Sequence, residues 1–180
     1  YWRQELFASG DYIVSTPVFQ DDRLLIGGLM LALDADHPGA TVLWPDPDEP
    51  ANTVYSDTST AMIQAEHVYS ALSSGQLICV DARTGEQVWE SDQVTRIGGG
   101  ASIHMTANGD SAVLYTDQGV LIRARLSIDG YTEISRAAVL TPTLPFGGAK
   151  VTWSPPAFAN GCVFARSGSE LVCASLMAAP

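Results

Sequence analysis

The feature that most narrows the folds open to this chain is a recurrence with a spacing of about 45 residues. Leu33-Asp34 returns as Val80-Asp81, Trp44 as Trp89, and Thr16-Pro17, ahead of an apolar run, as Thr60-Ala61. Further along the copies decay while the interval survives. Gly85 is matched by Gly130, and Leu77-Ile78-Cys79 by Leu171-Val172-Cys173 two intervals on. A unit of this length is one supersecondary element, and such elements bury their apolar faces by stacking on one another.

The second unit is the most readable. Ala61–Ala65 and Glu66–Ala71 are apolar or alternating, as half-buried strands are. Ser73-Ser74-Gly75 is a turn, Gln76–Val80 a third strand, Asp81–Gly85 another turn and Glu86–Glu90 a fourth strand. Pro17, Pro155 and Pro156 fall at the starts of first strands, where no ladder hydrogen bond is lost. Helical patterning is nearly absent, and 127–138 reads as a turn followed by a strand. The expectation is an all-β fold: a partial β-propeller of about four four-stranded antiparallel blades, forming one domain over 1–180. The blades fall at roughly 14–48, 58–94, 99–138 and 151–177.

The segment Cys79-Val80-Asp81-Ala82-Arg83-Thr84-Gly85-Glu86-Gln87-Val88-Trp89 resembles the tryptophan-docking repeat of PQQ-like propellers, with Cys79 where that family has Ala. The residues make physical sense without the resemblance. Asp81 is placed to accept hydrogen bonds from its own turn, Gly85 supplies a left-handed position, and Trp89 offers a large flat surface to the next blade. The first unit keeps Asp34 and Trp44 but lengthens the turn between them through Asp36-His37-Pro38-Gly39. The third has Ile134 where Trp would stand, and the fourth stops after Cys173-Ala174-Ser175-Leu176 without a fourth strand. Asp34, Trp44, Asp81, Thr84, Gly85 and Trp89 are therefore the expected blade-docking residues. The resemblance extends to secreted PQQ-repeat proteins and to BamB-type propellers. It implies a periplasmic or secreted bacterial protein, and the lack of an initiator Met suggests a piece of a longer precursor.

Composition removes several function classes. Nine Lys and Arg stand against 20 Asp and Glu, a net charge of -11, and a surface that acidic repels phosphate backbones. Nucleic acid is not an expected partner, and no apolar run is long enough to span a membrane. Cys79, Cys162 and Cys173 form neither a CxxC pair nor a Cys/His cluster. Cys162 and Cys173 flank the hairpin at 166–170, which leaves two readings: a cross-strand disulfide in an oxidising compartment, or two buried thiols.

No catalytic constellation stands out. There is no GxSxG elbow and no HExxH, and the run Gly98-Gly99-Gly100 lacks the Lys and helix of a phosphate loop. Gly99, Gly100 and His104 mark a blade-top loop that would bind a ligand if it is more than a linker. The acidic stretch Asp46-x-Asp48-Glu49 lacks the spacing of a calcium loop. The expected function is a non-catalytic binding or scaffolding module with no cofactor, whose partner is a protein, a small ligand, a second copy or the rest of a propeller. The alternatives are a fragment of a PQQ-dependent quinoprotein dehydrogenase, which would bring PQQ and Ca2+ and an adjacent Cys pair, or a sensor or carbohydrate-associated domain of a larger secreted protein.

Overall fold

The computed structural model describes residues 2–6, 15–46 and 58–177. Among these there are strands and turns but no helix. The first sheet is a meander of β1 (Val18–Gln20), β2 (Arg23–Ile26), β3 (Leu29–Leu33) and β4 (Ala40–Trp44), in that order. The second repeats it with β5 (Met62–Gln64), β6 (His67–Ala71), β7 (Leu77–Asp81) and β8 (Gln87–Ser91). The third is β9 (Ile103–Asn108), β10 (Ser111–Thr116), β11 (Val120–Ser127) and β12 (Gly130–Ala138). Every pairing is antiparallel between chain neighbours. The acidic stretch 48–49 and the segment 7–14 lie outside the described residues.

β7 shows why the middle of the row reads as a continuous apolar run. Side chains alternate across a strand, so Leu77 and Cys79 point one way and Ile78 and Val80 the other. Leu77 and Cys79 join Met62, Tyr69, Ile103, Leu114 and Ile122 in the core between the second and third sheets. Ile78 and Val80 join Leu25, Met30, Trp44 and Val68 in the core between the first and second. A strand with apolar partners on both faces has no polar position to show.

Among the described residues the fourth sheet has three strands, β15 (Ala157–Ala159), β16 (Cys162–Arg166) and β17 (Leu171–Ser175). Between it and the third sheet lies a hairpin that the repeat pattern did not announce, β13 (Leu144–Phe146) and β14 (Ala149–Val151), turning at Gly147-Gly148. The core beneath the fourth sheet is smaller, built on Tyr115, Leu140 and Ala165 with Leu121, Val139 and Val172 against it. Among the described residues the row of sheets does not close on itself, and the fold is a partial propeller.

Candidate functional site: the docking turns and the loop at 98–104

The turn between β7 and β8 is built from its first residue. Asp81 Oδ1 accepts hydrogen bonds from the backbone N–H of Arg83 (2.7 Å) and Thr84 (3.0 Å). Those bonds hold the Asp81 carboxyl below its ordinary range. Thr84 Oγ1 accepts from the N–H of Glu86, and Gly85 sits at φ +74°. The turn after β3 repeats the device, with Asp34 Oδ1 accepting from Asp36 and His37 across its longer loop.

These turns are where neighbouring sheets meet. The Trp44 indole, 5% exposed, donates Nε1–H to the carbonyl of Ala82 at 3.0 Å. Its ring covers Gly85 so closely that a Cβ there would stand 2.8 Å from the indole. Trp89 makes the equivalent bond to the carbonyl of Ser127 at 2.8 Å and packs at a tilt on Tyr69. Ile134, at the corresponding place on β12, is exposed. There Arg136 instead donates to Gln93 O, while Tyr131 and Arg136 both bond Glu133. An ion pair between Arg23 and Glu66 (3.2 Å) adds a link between the first two sheets.

The second group of sequence candidates lies where the third sheet meets the inserted hairpin. Arg96 Nη2 donates to Gly99 O, and Trp153 Nε1 donates to Gly100 O at 2.8 Å. Phe146 stacks edge-on against Trp153, with ring centroids 4.7 Å apart, and closes over Gly100. His104 is buried, its Nε2 2.9 Å from the carbonyl of Trp153 and 3.4 Å from Ser102 Oγ. A carbonyl only accepts, so Nε2 carries the proton and Nδ1 is left as a buried acceptor without a partner. Burial pulls the His104 pKa below its ordinary 6.5, partly offset by the bond to Trp153. Gly100 and His104 thus face the same residue, Trp153, and the loop packs on protein.

Beside this loop is a buried ion pair that sequence reasoning missed. The Asp117 carboxylate is fully buried and accepts from Thr95 Oγ1 (2.7 Å), Arg96 Nε (3.0 Å) and Gln118 Nε2 (2.7 Å). Its backbone joins in: the N–H donates to Ser102 O, and the carbonyl accepts from Thr152 N–H. The one sequence signal was that Thr116–Gly119 takes the place of the Ser73–Gly75 turn one interval earlier. An Asp in such a turn ordinarily faces water, so nothing announced its burial.

Strands in four-stranded meanders, stacked in an open row and tied by tryptophans to the turns of the following sheet, define a PQQ-like repeat propeller. The chain belongs to the family described as outer membrane protein assembly factor BamB, whose pattern matches residues 1–127. Among solved structures it is similar to BamB from Moraxella catarrhalis, with 19% identity over 93% of this chain and a TM-score of 0.59. It is also similar to the quinohemoprotein alcohol dehydrogenase ADHIIG from Pseudomonas putida HK5, with 17% identity over 83% of this chain and a TM-score of 0.51. At these identities the likeness is one of fold. The chain spans 46% of the first of these proteins and 27% of the second. No curated protein matches it significantly.

Among the described residues no three His, Cys, Asp or Glu side chains are grouped to hold a metal. Cys79, Cys162 and Cys173 lie on β7, β16 and β17, and Cys79 is buried against Tyr69 and Trp89.

Proposed function

We propose that this chain is a non-catalytic β-propeller module that binds or scaffolds proteins outside the cytoplasm. Its match over residues 1–127 to a family of outer-membrane assembly factors is the observation that carries the reading. The disposition of the polar side chains supports it. His104, Arg96 and Asp117, the groups nearest the candidate loop, each bond to an adjoining segment of the fold. Asp34, Trp44, Asp81, Thr84, Gly85 and Trp89 serve as the blade-docking set, and Gly99, Gly100 and His104 fix the loop over the third sheet.

The two ends of the row are where a partner has most to gain. Phe19 is 60% exposed on the first sheet and Leu171 72% exposed on the last, and apolar groups at the ends of a repeat stack invite cover. The remainder of a propeller or a second copy of the chain would supply it.

The experiment is a light-scattering mass of the purified chain, followed by titration with an unfolded outer-membrane β-barrel polypeptide and, separately, with PQQ and Ca2+. Saturable binding of the polypeptide, indifferent to PQQ, is the expected result. Micromolar or tighter binding of PQQ without binding of the polypeptide would overturn the reading in favour of a quinoprotein fragment.

A further inference from the structure

We propose that Cys162 and Cys173 are a thiol–disulfide site, a reversible cross-strand bond closed by exchange with a small-molecule disulfide. The register of the last sheet carries the inference. Cys162 on β16 stands opposite Ser175 on β17, and Cys173 on β17 stands opposite Phe164. Residues facing one another across an antiparallel pair share a side of the sheet, as do residues two apart on one strand. Both thiols therefore lie on one side, as diagonal neighbours. Val163 and Ala165 are buried on the other side, whereas Cys173 is exposed and Cys162 half-buried. Of the two readings open from the sequence, that of two buried thiols does not hold, since among the described residues no further sheet covers that side.

The two sulfurs sense each other. Desolvation raises the Cys173 thiol pKa, and the neighbouring Cys162 thiol raises it further. Cys79 is set apart from both, fully buried opposite Trp89, with burial pushing its thiol up to about 11.

The diagonal placement also fixes the character of the bond. Diagonal Cα atoms are about 7–8 Å apart. A relaxed disulfide wants about 4.4–6.8 Å. Closing the bond requires β17 to slide along β16, and β17 is the edge of its sheet, with a strand ladder on one side only. A bond closed under such tension is more easily reduced than a structural disulfide. In the exchange, one cysteine thiolate attacks the external disulfide and releases one thiol, leaving a mixed disulfide. The second cysteine attacks the protein sulfur of that mixed disulfide and releases the other thiol. The protein loses two hydrogens and the external disulfide is reduced to two thiols.

The test treats the reduced chain with oxidised glutathione and reads intact mass and tryptic peptides. Cleavage after Arg166 puts the two cysteines on separate peptides. The expected product is a monomer lighter by two hydrogens, with those two peptides joined, that reopens in millimolar reduced glutathione. Cys162→Ser and Cys173→Ser should each instead accumulate one glutathione adduct on the remaining partner, while Cys79→Ser behaves as the parent. Stable glutathione adducts on the parent, a covalent dimer, no change in mass, or a bond that resists reduced glutathione would each overturn the proposal.

Discussion

Trp44 and Trp89 stand in the same relation to the sheet that follows each: both donate an indole N–H to a backbone carbonyl 38 residues further along the chain. One indole is buried and the other half-buried, so the same bond is made in two environments. In the first case the ring also roofs the turn glycine of the next sheet. Trp44→Ala is expected to destabilise the fold by about 3–5 kcal/mol, the usual cost of truncating a buried Trp. Trp89→Ala is expected to cost about 2 kcal/mol, since less area and one hydrogen bond are lost. Urea unfolding followed by far-UV circular dichroism checks both, and equal losses would refute the ordering.

Gly85 separates backbone strain from steric clash. It adopts φ +74°, and an added Cβ would meet the Trp44 ring at 2.8 Å. Gly109 has φ +61° with nothing near its absent Cβ. Gly109→Ala is expected to cost about 1 kcal/mol, the left-handed backbone term alone. Gly85→Ala should cost about 2–4 kcal/mol because overpacking adds to strain. Thermal unfolding of the two variants gives the difference directly.

How far these positions could be read in advance varied with how local their causes are. Asp81, Thr84, Gly85 and Trp89 fall within one turn and its flanking strand, so their spacing alone carries the geometry. The alternation of β7 was hidden for the opposite reason: two different neighbouring sheets claim its two faces, and both want apolar residues. The hairpin of β13 and β14 was missed because it lies between repeats, its strands are three residues long and β13 carries Pro145. Gly147-Gly148 was its signal, a two-residue turn between short runs. The cluster around Asp117 is assembled from 95–118 and 150–152, and no spacing encodes a contact of that kind.

The Asp117–Arg96 pair should behave as a buried ion pair. Asp117→Ala strands a guanidinium whose side chain is only 20% exposed and removes the acceptor for Thr95 and Gln118. The expected loss is about 3–5 kcal/mol. A double-mutant cycle with Arg96→Met, measured by urea unfolding, should return a large coupling, and additive losses would show the pair to be independent.

His104 gives the fold an acid-side sensitivity. Its pKa is lowered in the folded state by burial, so the unfolded chain takes up a proton at a higher pH than the folded one. Stability from this residue is complete above its ordinary value of 6.5 and declines as pH falls below that point toward the lowered folded value. His104→Gln keeps a side-chain donor for the Trp153 carbonyl without a titrating ring. The variant should show a smaller drop in urea midpoint than the parent between about pH 7 and about pH 5.

The two-sided burial of the second sheet has a consequence for how the molecule comes apart. A stack of repeats frays from its ends, and each unit holds only as firmly as the neighbours on either side. Amide protons on β6 and β7 should be the last to exchange with deuterium, those on β17 among the first. The chain would then behave as a keel with loosely fastened ends, its most openable strands being those at the boundary where a partner would arrive.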